Sequence, residues 1–278
     1  MDCVLESPAM IPFLPIDPVA LQLGPVAIRW YGLAYLVGIV TGWVLLHRRA
    51  RANPDAGWDD DAVGDLVFYA AIGAVLGGRF GYALFYDFKT YLGHPAELLA
   101  VWRGGMSFHG GVLGMMAALW WFGRRTGRGF FRCSDFVVPV VPIGLGLGRI
   151  ANFINQELWG APTALPWGVL FTAPGAGPLP RHPSQIYEAF LEGVLLFVVL
   201  ALVRQRSVRV GVVSASFLIG YAICRMIVEL VREPDAQLGY LWGGWLTMGQ
   251  VLCVPMVLAG VGILIWSHRT GPAVTAKA

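Results

Sequence analysis

The hydrophobic residues of this chain fall into seven blocks, each about as long as a lipid bilayer is thick. They cover roughly 27–47, 62–86, 109–123, 134–154, 186–203, 210–231 and 247–267. A helix rises 1.5 Å per residue, so about 20 apolar residues cross the roughly 30 Å hydrocarbon layer. The third block is short at its apolar core and is expected to begin in a re-entrant segment around 104–111. The fourth carries Pro139, Pro142 and several glycines, which predicts kinks or an unwound end, because proline removes a backbone donor and crowds the preceding turn. The expected fold is all-α: a polytopic integral membrane protein with about seven transmembrane helices in one membrane domain, 1–278.

Positive charge orients those helices. Arg48, Arg49, Arg51, Arg124, Arg125, Arg128, Arg132, Arg204, Arg206, Arg209, Arg269 and Lys277 follow helices 1, 3, 5 and 7, whereas the opposite side holds Lys89, Arg103, Arg181 and Arg232. Cytoplasmic loops carry the excess of Lys and Arg, so that split of twelve to four predicts the N-terminus outside and the C-terminus in the cytoplasm. Residues 1–26 are then an outer-surface segment, 155–185 a long outer loop, and 271–278 a cytoplasmic tail. Met1 to Pro15 lacks a basic n-region and contains Asp2 and Glu6, so it is not expected to be a signal peptide. Composition agrees with a membrane protein: 13% of residues are charged, against about 25% in soluble domains. The four cysteines, Cys3, Cys133, Cys224 and Cys253, lie far apart without metal-site spacing, so neither a disulfide framework nor a zinc site is expected.

The polar residues inside the apolar blocks carry the chemistry. An arginine at the bilayer centre costs about 2.5–3.5 kcal/mol on insertion scales, so intramembrane charges are paired, wet or functional. The segment Gly148-Arg149-Ile150-Ala151-Asn152-Phe153-Ile154-Asn155-Gln156-Glu157-Leu158-Trp159-Gly160 delivers an arginine, two asparagines, a glutamine and a glutamate to the end of such a block. If it is helical, Arg149, Asn152 and Gln156 lie near one face, a surface of donors suited to a phosphate or an ester. Glu157 either holds an arginine or accepts a proton, and Gly160 with Pro162 predicts a turn.

Tyr221, Arg225, Glu229 and Arg232 recur at helical spacing in the sixth block. Arg225 and Glu229 can pair along the helix, which leaves Arg232 as positive excess on that face, and a planar arginine fork suits bidentate contact with phosphate. The alternative is an ion-pair ladder that fixes helix packing. His109 stands in the glycine-rich Gly104-Gly105-Met106-Ser107-Phe108-His109-Gly110-Gly111, where an imidazole can move a proton near neutral pH. Gly77-Gly78-Arg79 adds another arginine in an apolar block. His182-Pro183-Ser184-Gln185 precedes the fifth block; Ser184 is expected to cap that helix with Glu188 in its first turn, and His182 is a second proton-transfer candidate. Tyr31, in Trp30-Tyr31-Gly32, belongs to an interfacial aromatic belt or hydrogen-bonds into a cavity.

In this topology the Gly148–Gly160 segment, His109, Arg232 and the 155–185 loop all face outward. A polar site at the outer leaflet, open sideways to lipid, is the reading. Nucleotides, abundant on the other side, are not the expected substrates, and nucleic acid is not an expected partner. A lipid or anion transporter needs an internal repeat and midplane polar groups, which the pattern lacks. A non-catalytic scaffold leaves the His109 loop and the arginines unexplained.

These residues resemble the bacterial prolipoprotein diacylglyceryl transferase family. Its signature G-R-x-[GA]-N-F-[LIVMF]-N-x-E-x-x-G is complete from Gly148 to Gly160, and the Arg29–Gly32, Gly77–Arg79, Gly105–Gly111, His182–Gln185 and Arg225–Asp235 stretches are similar to the family's too. The resemblance implies transfer of the sn-1,2-diacylglyceryl group of phosphatidylglycerol to the lipobox cysteine thiol of a prolipoprotein. A thioether forms and glycerol-1-phosphate leaves, in the inner membrane with the active site toward the outer leaflet and without metal or organic cofactor. Within it, Arg149 and Arg225 are the expected phosphate clamp and Asn152 a donor. Glu157 and Glu229 orient arginines, and Tyr31 and Tyr221 shape the pocket. Arg79, Gly160, His182 and Arg232 complete the substrate-binding set. His109 either takes the thiol proton or positions the thiol while an arginine-rich field lowers its pKa.

Overall fold

The computed structural model describes residues 10–100, 104–207, 209–234 and 239–270. Cys3, Arg103, Asp235, Lys277, the expected tail 271–278 and the first residues of the outer-surface segment lie outside the described residues.

All seven apolar blocks are helical. In chain order the helices are α1 Trp30–Ala52, α2 Asp60–Phe85, α3 Phe88–Gly93, α4 Phe108–Arg125, α5 Phe130–Val137, α6 Val141–Ile154, α7 Ser184–Glu188, α8 Leu196–Arg206, α9 Val212–Glu229 and α10 Met248–Thr270. A 3-10 turn, Val138–Val140, joins α5 to α6, so Pro139 breaks the fourth block as expected. A π-helical stretch, Ala189–Leu195, joins α7 to α8. Among the described residues six helical runs are long and apolar enough to cross a membrane: Trp30–Ala52, Asp60–Phe85, Phe130–Ile154, Ser184–Arg206, Val212–Glu229 and Met248–Thr270. That is the architecture of a polytopic membrane protein. α4 forms at the third block but is not one of the six.

Local chemistry fixes several helix ends. Asp59 caps α2 by accepting from the Ala62 amide at 2.7 Å, and Asp60 and Asp61 follow in the first turn, where the helix dipole favours anions. Arg49 and Arg51 close α1 at its opposite, partly negative end.

The chain divides into two compact units, one running to Gly42 and resuming at Val138, the other from Trp43 to Val137. In the second, α2 packs on α4 through glycines. A Cβ at Gly73 would lie 2.6 Å from the Gly114 carbonyl oxygen, at Gly77 2.7 Å from Gly114 Cα, and at Gly81 2.8 Å from Gly110 Cα. Small residues four apart let two membrane helices approach backbone to backbone. Gly110, in the glycine-rich segment around His109, belongs to this contact.

The first unit holds α6 to α10 and, unlike an all-α fold, four short strands. β2 Val19–Leu23 and β3 Val26–Arg29 form an antiparallel hairpin, and β1 Ile11–Pro12 lies parallel to β4 Val169–Leu170. The β1–β4 pair fastens the N-terminal segment to the 155–185 loop, where Phe13, Val169, Phe171 and Ala176 bury one another with Phe153 and Trp159 alongside. α6 meets the π-helical stretch at a glycine pair: a Cβ on Gly193 would stand 2.9 Å from Gly146 Cα. Arg149, one turn on from Gly146, thereby comes near Glu192, which directly precedes Gly193.

Candidate active site

α6 ends at Ile154 and the backbone then unwinds. Gln156 and Leu158 take φ of 53° and 60°, the left-handed region that non-glycine residues seldom adopt. Gln156 therefore leaves the face it was expected to share with Arg149 and Asn152. Its Oε1 accepts from the Thr172 amide at 2.7 Å and from the Ala173 amide at 3.0 Å, tying the turn to the outer loop. The unwound turn brings Glu157 back onto α6. Asn152 Nδ2 donates to Glu157 Oε1 at 2.6 Å and Asn155 Nδ2 to the same oxygen at 3.4 Å. Glu157 orients two asparagines, and its hydrogen bonds go to them rather than to an arginine.

Arg149 projects from the last turns of α6 towards α7 and the π-helical stretch. Its Nε lies 3.3 Å from Glu188 Oε2 and its Nη2 3.6 Å from Glu192 Oε2. Its Nη1 takes no partner among the described residues. Arg225, on α9, faces the same two carboxylates: its Nη1 hydrogen-bonds Glu188 Oε1 and lies 3.8 Å from Glu192 Oε1. Its Nη2 pairs along the helix with Glu229 Oε1, as the sequence spacing predicts. Arg232 approaches Glu229 at 3.5 Å and Glu188 at 3.8 Å. Glu188 and Glu192 are fully buried, whereas the Arg149 and Arg225 side chains remain 18% and 12% exposed. The positive excess expected on α9 does not survive this arrangement, because Glu188 and Glu192 bring the cluster to three arginines and three glutamates.

Glu229 is held from a third direction. Thr247 Oγ1 donates to Glu229 Oε2, and Gly249 leaves room for that carboxylate, since a Cβ there would stand 2.6 Å from Glu229 Cδ. Thr247 and Gln250 form a capping box at the start of α10. The Gln250 amide donates to Thr247 Oγ1 at 3.2 Å and the Thr247 amide to Gln250 Oε1 at 3.1 Å.

The His182–Gln185 segment stitches the unwound turn in place. Ser184 does not cap α7. Its Oγ donates to the Leu158 carbonyl at 3.0 Å, while Gln185 Nε2 donates to the Glu157 carbonyl at 2.7 Å. Gly160 sits where three segments meet. Its amide donates to the His182 carbonyl at 2.9 Å, its strand bridge is to Arg232, and a Cβ there would fall 2.6 Å from both His182 Cβ and the Val231 oxygen. Any side chain at 160 pushes this junction apart. His182 Nδ1 lies 3.3 Å from the Tyr187 hydroxyl, which accepts from Trp167 Nε1 at 2.7 Å. Burial holds the His182 pKa below its ordinary value.

Tyr221 stacks on Phe217 and feels the charges of Glu192, Arg225 and Arg149. Tyr31 is exposed at the start of α1, and Tyr35, one turn on, donates to its hydroxyl at 3.3 Å. Tyr35 lies within electrostatic reach of Arg149 and Glu157. Among the described residues no group of three His, Cys, Asp or Glu side chains could hold a metal ion.

The second unit carries Arg79 and His109. Arg79 is buried, and all its donors go to main-chain carbonyls: Nε to Leu98 at 3.1 Å, Nη1 to Gly104 and Gly105, Nη2 to Glu97 and Ala100. It was expected to bind substrate; with every donor taken it holds the backbone at 97–100 and at 104–105 instead. His109 is not in a loop. It is the second residue of α4 and exposed, on a helix capped by Ser107 Oγ, which accepts from the Gly110 amide at 3.2 Å.

Residues 18–266 match the family model for prolipoprotein diacylglyceryl transferase. The chain is 54% identical over 264 residues to the phosphatidylglycerol–prolipoprotein diacylglyceryl transferase of Pseudomonas paraeruginosa, covering 95% of this chain and 98% of that protein. It is 54% identical over 270 residues to the Pseudomonas putida enzyme of the same name and 53% identical over 269 residues to that of Pseudomonas fluorescens, each spanning 96% of this chain and 99% of the relative. The chain belongs to the prolipoprotein diacylglyceryl transferase family.

For this member of the diacylglyceryl transferase family, reading the residues alone missed Glu188 and Glu192 as partners of the arginines, and Thr247 and Gly249 as supports of Glu229. One signal was available. Glu188 and Glu192 stand four apart at an apolar run, the same spacing that singled out Arg225 and Glu229. Thr247 and Gly249 gave none, since their roles exist only once α10 packs on α9.

Proposed function

We propose that this chain transfers the sn-1,2-diacylglyceryl group of phosphatidylglycerol to the lipobox cysteine thiol of a prolipoprotein, the first step of bacterial lipoprotein maturation. The observation that carries the proposal is the pair of arginines from facing helices, Arg149 of α6 and Arg225 of α9, locked by one carboxylate, Glu188. Two preorganised guanidinium forks are what a leaving phosphate needs as its ester bond breaks. Family membership supplies the substrates: the relatives' names give phosphatidylglycerol and prolipoprotein.

The reaction follows from those parts. The cysteine thiolate attacks the glyceryl carbon that bears the phosphate ester. The C–S bond forms as the C–O bond breaks, and the electron pair leaves on the phosphate oxygen as glycerol-1-phosphate. Arg149 and Arg225 stabilise that developing charge. Asn152, oriented by Glu157, donates a further hydrogen bond. Tyr221 and Tyr31 line the pocket, and Glu229 and Arg232 hold Arg225 in register. The thiol proton goes to His109, whose imidazole is the side chain suited to accept it near neutral pH. The proposed setting is the bacterial inner membrane, with seven crossings, the N-terminus outside and the reaction at the outer leaflet. The excess of Lys and Arg beyond α1, α4, α8 and α10 supports that orientation.

The test is purified protein with phosphatidylglycerol and a lipobox peptide, read as glycerol phosphate release, with a Cys-to-Ala peptide as control. Release that depends on the cysteine supports the proposal; no release with a competent peptide rejects it. His109→Gln should lower transfer by about a hundredfold, within the range that general base catalysis contributes. Near-full activity in that variant would remove the base assignment and leave the thiol to the field of the arginines.

A further inference from the structure

Glu188 and Glu192 face the same two arginines, yet they are held differently. Glu188 hydrogen-bonds Arg225 and comes within 3.3 Å of Arg149. Neither oxygen of Glu192 makes a hydrogen bond, and its nearest guanidinium nitrogens stand 3.6 and 3.8 Å away, beyond hydrogen-bonding length. Glu192 is also fully buried and sits in the π-helical stretch Ala189–Leu195, a distortion that recurs at functional sites. Around it stand Arg149 of α6, Tyr221, Cys224 and Arg225 of α9, Cys253 of α10, and Glu188 one turn earlier. Glu229 completes the set through its pair with Arg225.

Charge decides what this loose carboxylate is for. Among the described residues Arg149, Arg225 and Arg232 balance Glu188, Glu192 and Glu229, so that cluster is neutral with every member ionised. A lipid phosphodiester adds one negative charge, and an uncompensated charge in a low-dielectric interior is costly. The arginines cannot serve two anions equally, so the carboxylate with the fewest bonds yields.

We propose that Glu192 is the exchangeable counter-ion of the Arg149–Arg225 pair: a lipid phosphate takes its place beside the two guanidinium groups, and Glu192 takes up one proton from water. It is a positioning residue. It keeps the arginines apart and aimed while the site is empty, then loses its charge when the anion arrives. When glycerol phosphate departs, the proton leaves and the pairs re-form, which resets the site. The inference rests on the proposed use of Arg149 and Arg225 as a phosphate clamp.

Calorimetry on the full chain in detergent tests it. Phosphatidylglycerol is titrated at mildly alkaline pH in buffers of different ionisation enthalpy, with diacylglycerol, which has no phosphate, as control. Wild type should take up about one proton per phosphatidylglycerol bound, as linkage to one site requires, and E192Q none. In that range the wild-type affinity should fall about tenfold per pH unit as pH rises, while that of E192Q stays flat. No proton uptake by wild type, or undiminished uptake by E192Q, overturns the proposal. Should E192Q not fold, infrared difference spectra of wild type with isotope-labelled glutamate decide. A protonated glutamate band brought up by phosphatidylglycerol supports the assignment, and no such band overturns it. The glycerol phosphate assay reads the parent proposal separately, because lipid binding and its proton count need no transfer to occur.

Discussion

Arg79, buried, and Arg225, mostly buried, are both arginines in apolar helices, and they solve the same problem in opposite ways. Arg79 spends its donors on five main-chain carbonyls between Glu97 and Gly105. Arg225 spends its donors on carboxylates, Glu188 and Glu229, with Glu192 near by. Carbonyls of a folded loop cannot move aside without unfolding it. A carboxylate can be replaced by another anion at little cost in geometry. The difference separates an arginine that builds a loop from one that can exchange partners with a ligand, although both look alike as intramembrane charges.

Arg225→Ala attacks the exchangeable side and should have the largest effect. It leaves the buried cluster one positive charge short, with Glu188 on Arg149 and Glu229 on Arg232 and Thr247, and loss of a partner from a buried ion pair costs about 3–5 kcal/mol. It also removes half of the clamp, so transfer should fall by about a hundredfold or more per folded molecule, the range seen when one transition-state donor is removed. Glycerol phosphate release normalised to folded protein reads this. Activity that merely follows the folded fraction would make Arg225 as structural as Arg79.

Arg79→Lys is the converse. An ammonium has three donors on a single point and cannot reach five carbonyls, so thermal stability should drop by about 1–3 kcal/mol for the groups left unsatisfied. Activity per folded molecule and KM for phosphatidylglycerol should stay at wild-type values. A raised KM with unchanged stability would break the comparison by returning Arg79 to the substrate.

The two arginines were not equally legible in the sequence. The apolar blocks gave helices in the right places, and the Pro139–Pro142 break followed from proline chemistry; the unwinding at Gln156 and Leu158 did not, because neither residue is a glycine. The Arg225–Glu229 pair followed from spacing alone. What Arg79 does could not be read, because its partners are carbonyls, which every residue has, 18 to 26 positions away. Glu188 was visible as a residue but not as a partner of Arg149, which it meets only where Gly146 and Gly193 let two helices touch. The two-residue strands β1 and β4 carry no periodicity and form only once the outer loop has folded back.

Thr247→Val sharpens the comparison at lower amplitude, because it loosens a carboxylate without touching an arginine. Valine removes the hydroxyl that donates to Glu229 and accepts from the Gln250 amide. Stability should fall by about 2 kcal/mol, as for two hydrogen bonds of which one goes to a carboxylate. KM for phosphatidylglycerol should shift by no more than a few fold, since Arg225 keeps its pair with Glu188. A shift as large as that of an arginine variant would mean that Glu229, not Glu188, sets the position of Arg225.

His182 is the third kind of case, a titratable group whose nearest partner, the Tyr187 hydroxyl, is neutral. Burial lowers its pKa from the ordinary 6.5, so in the folded chain it stays uncharged at pH values where the unfolded imidazole has begun to protonate. The unfolded state then binds more protons, and stability falls as pH drops from the unfolded value towards the folded one. Above about pH 7 the effect is absent, because both states are neutral. His182→Gln, which cannot protonate, should leave stability at neutral pH nearly unchanged and flatten the acid-side decline in thermal midpoint. His182 is only partly buried, so this is the smallest of the expected effects. Midpoints measured across about pH 5–7 for both chains decide it. Superimposable profiles would mean that His182 finds a charged partner when protonated, and would move it from the neutral edge of the site into the exchangeable cluster.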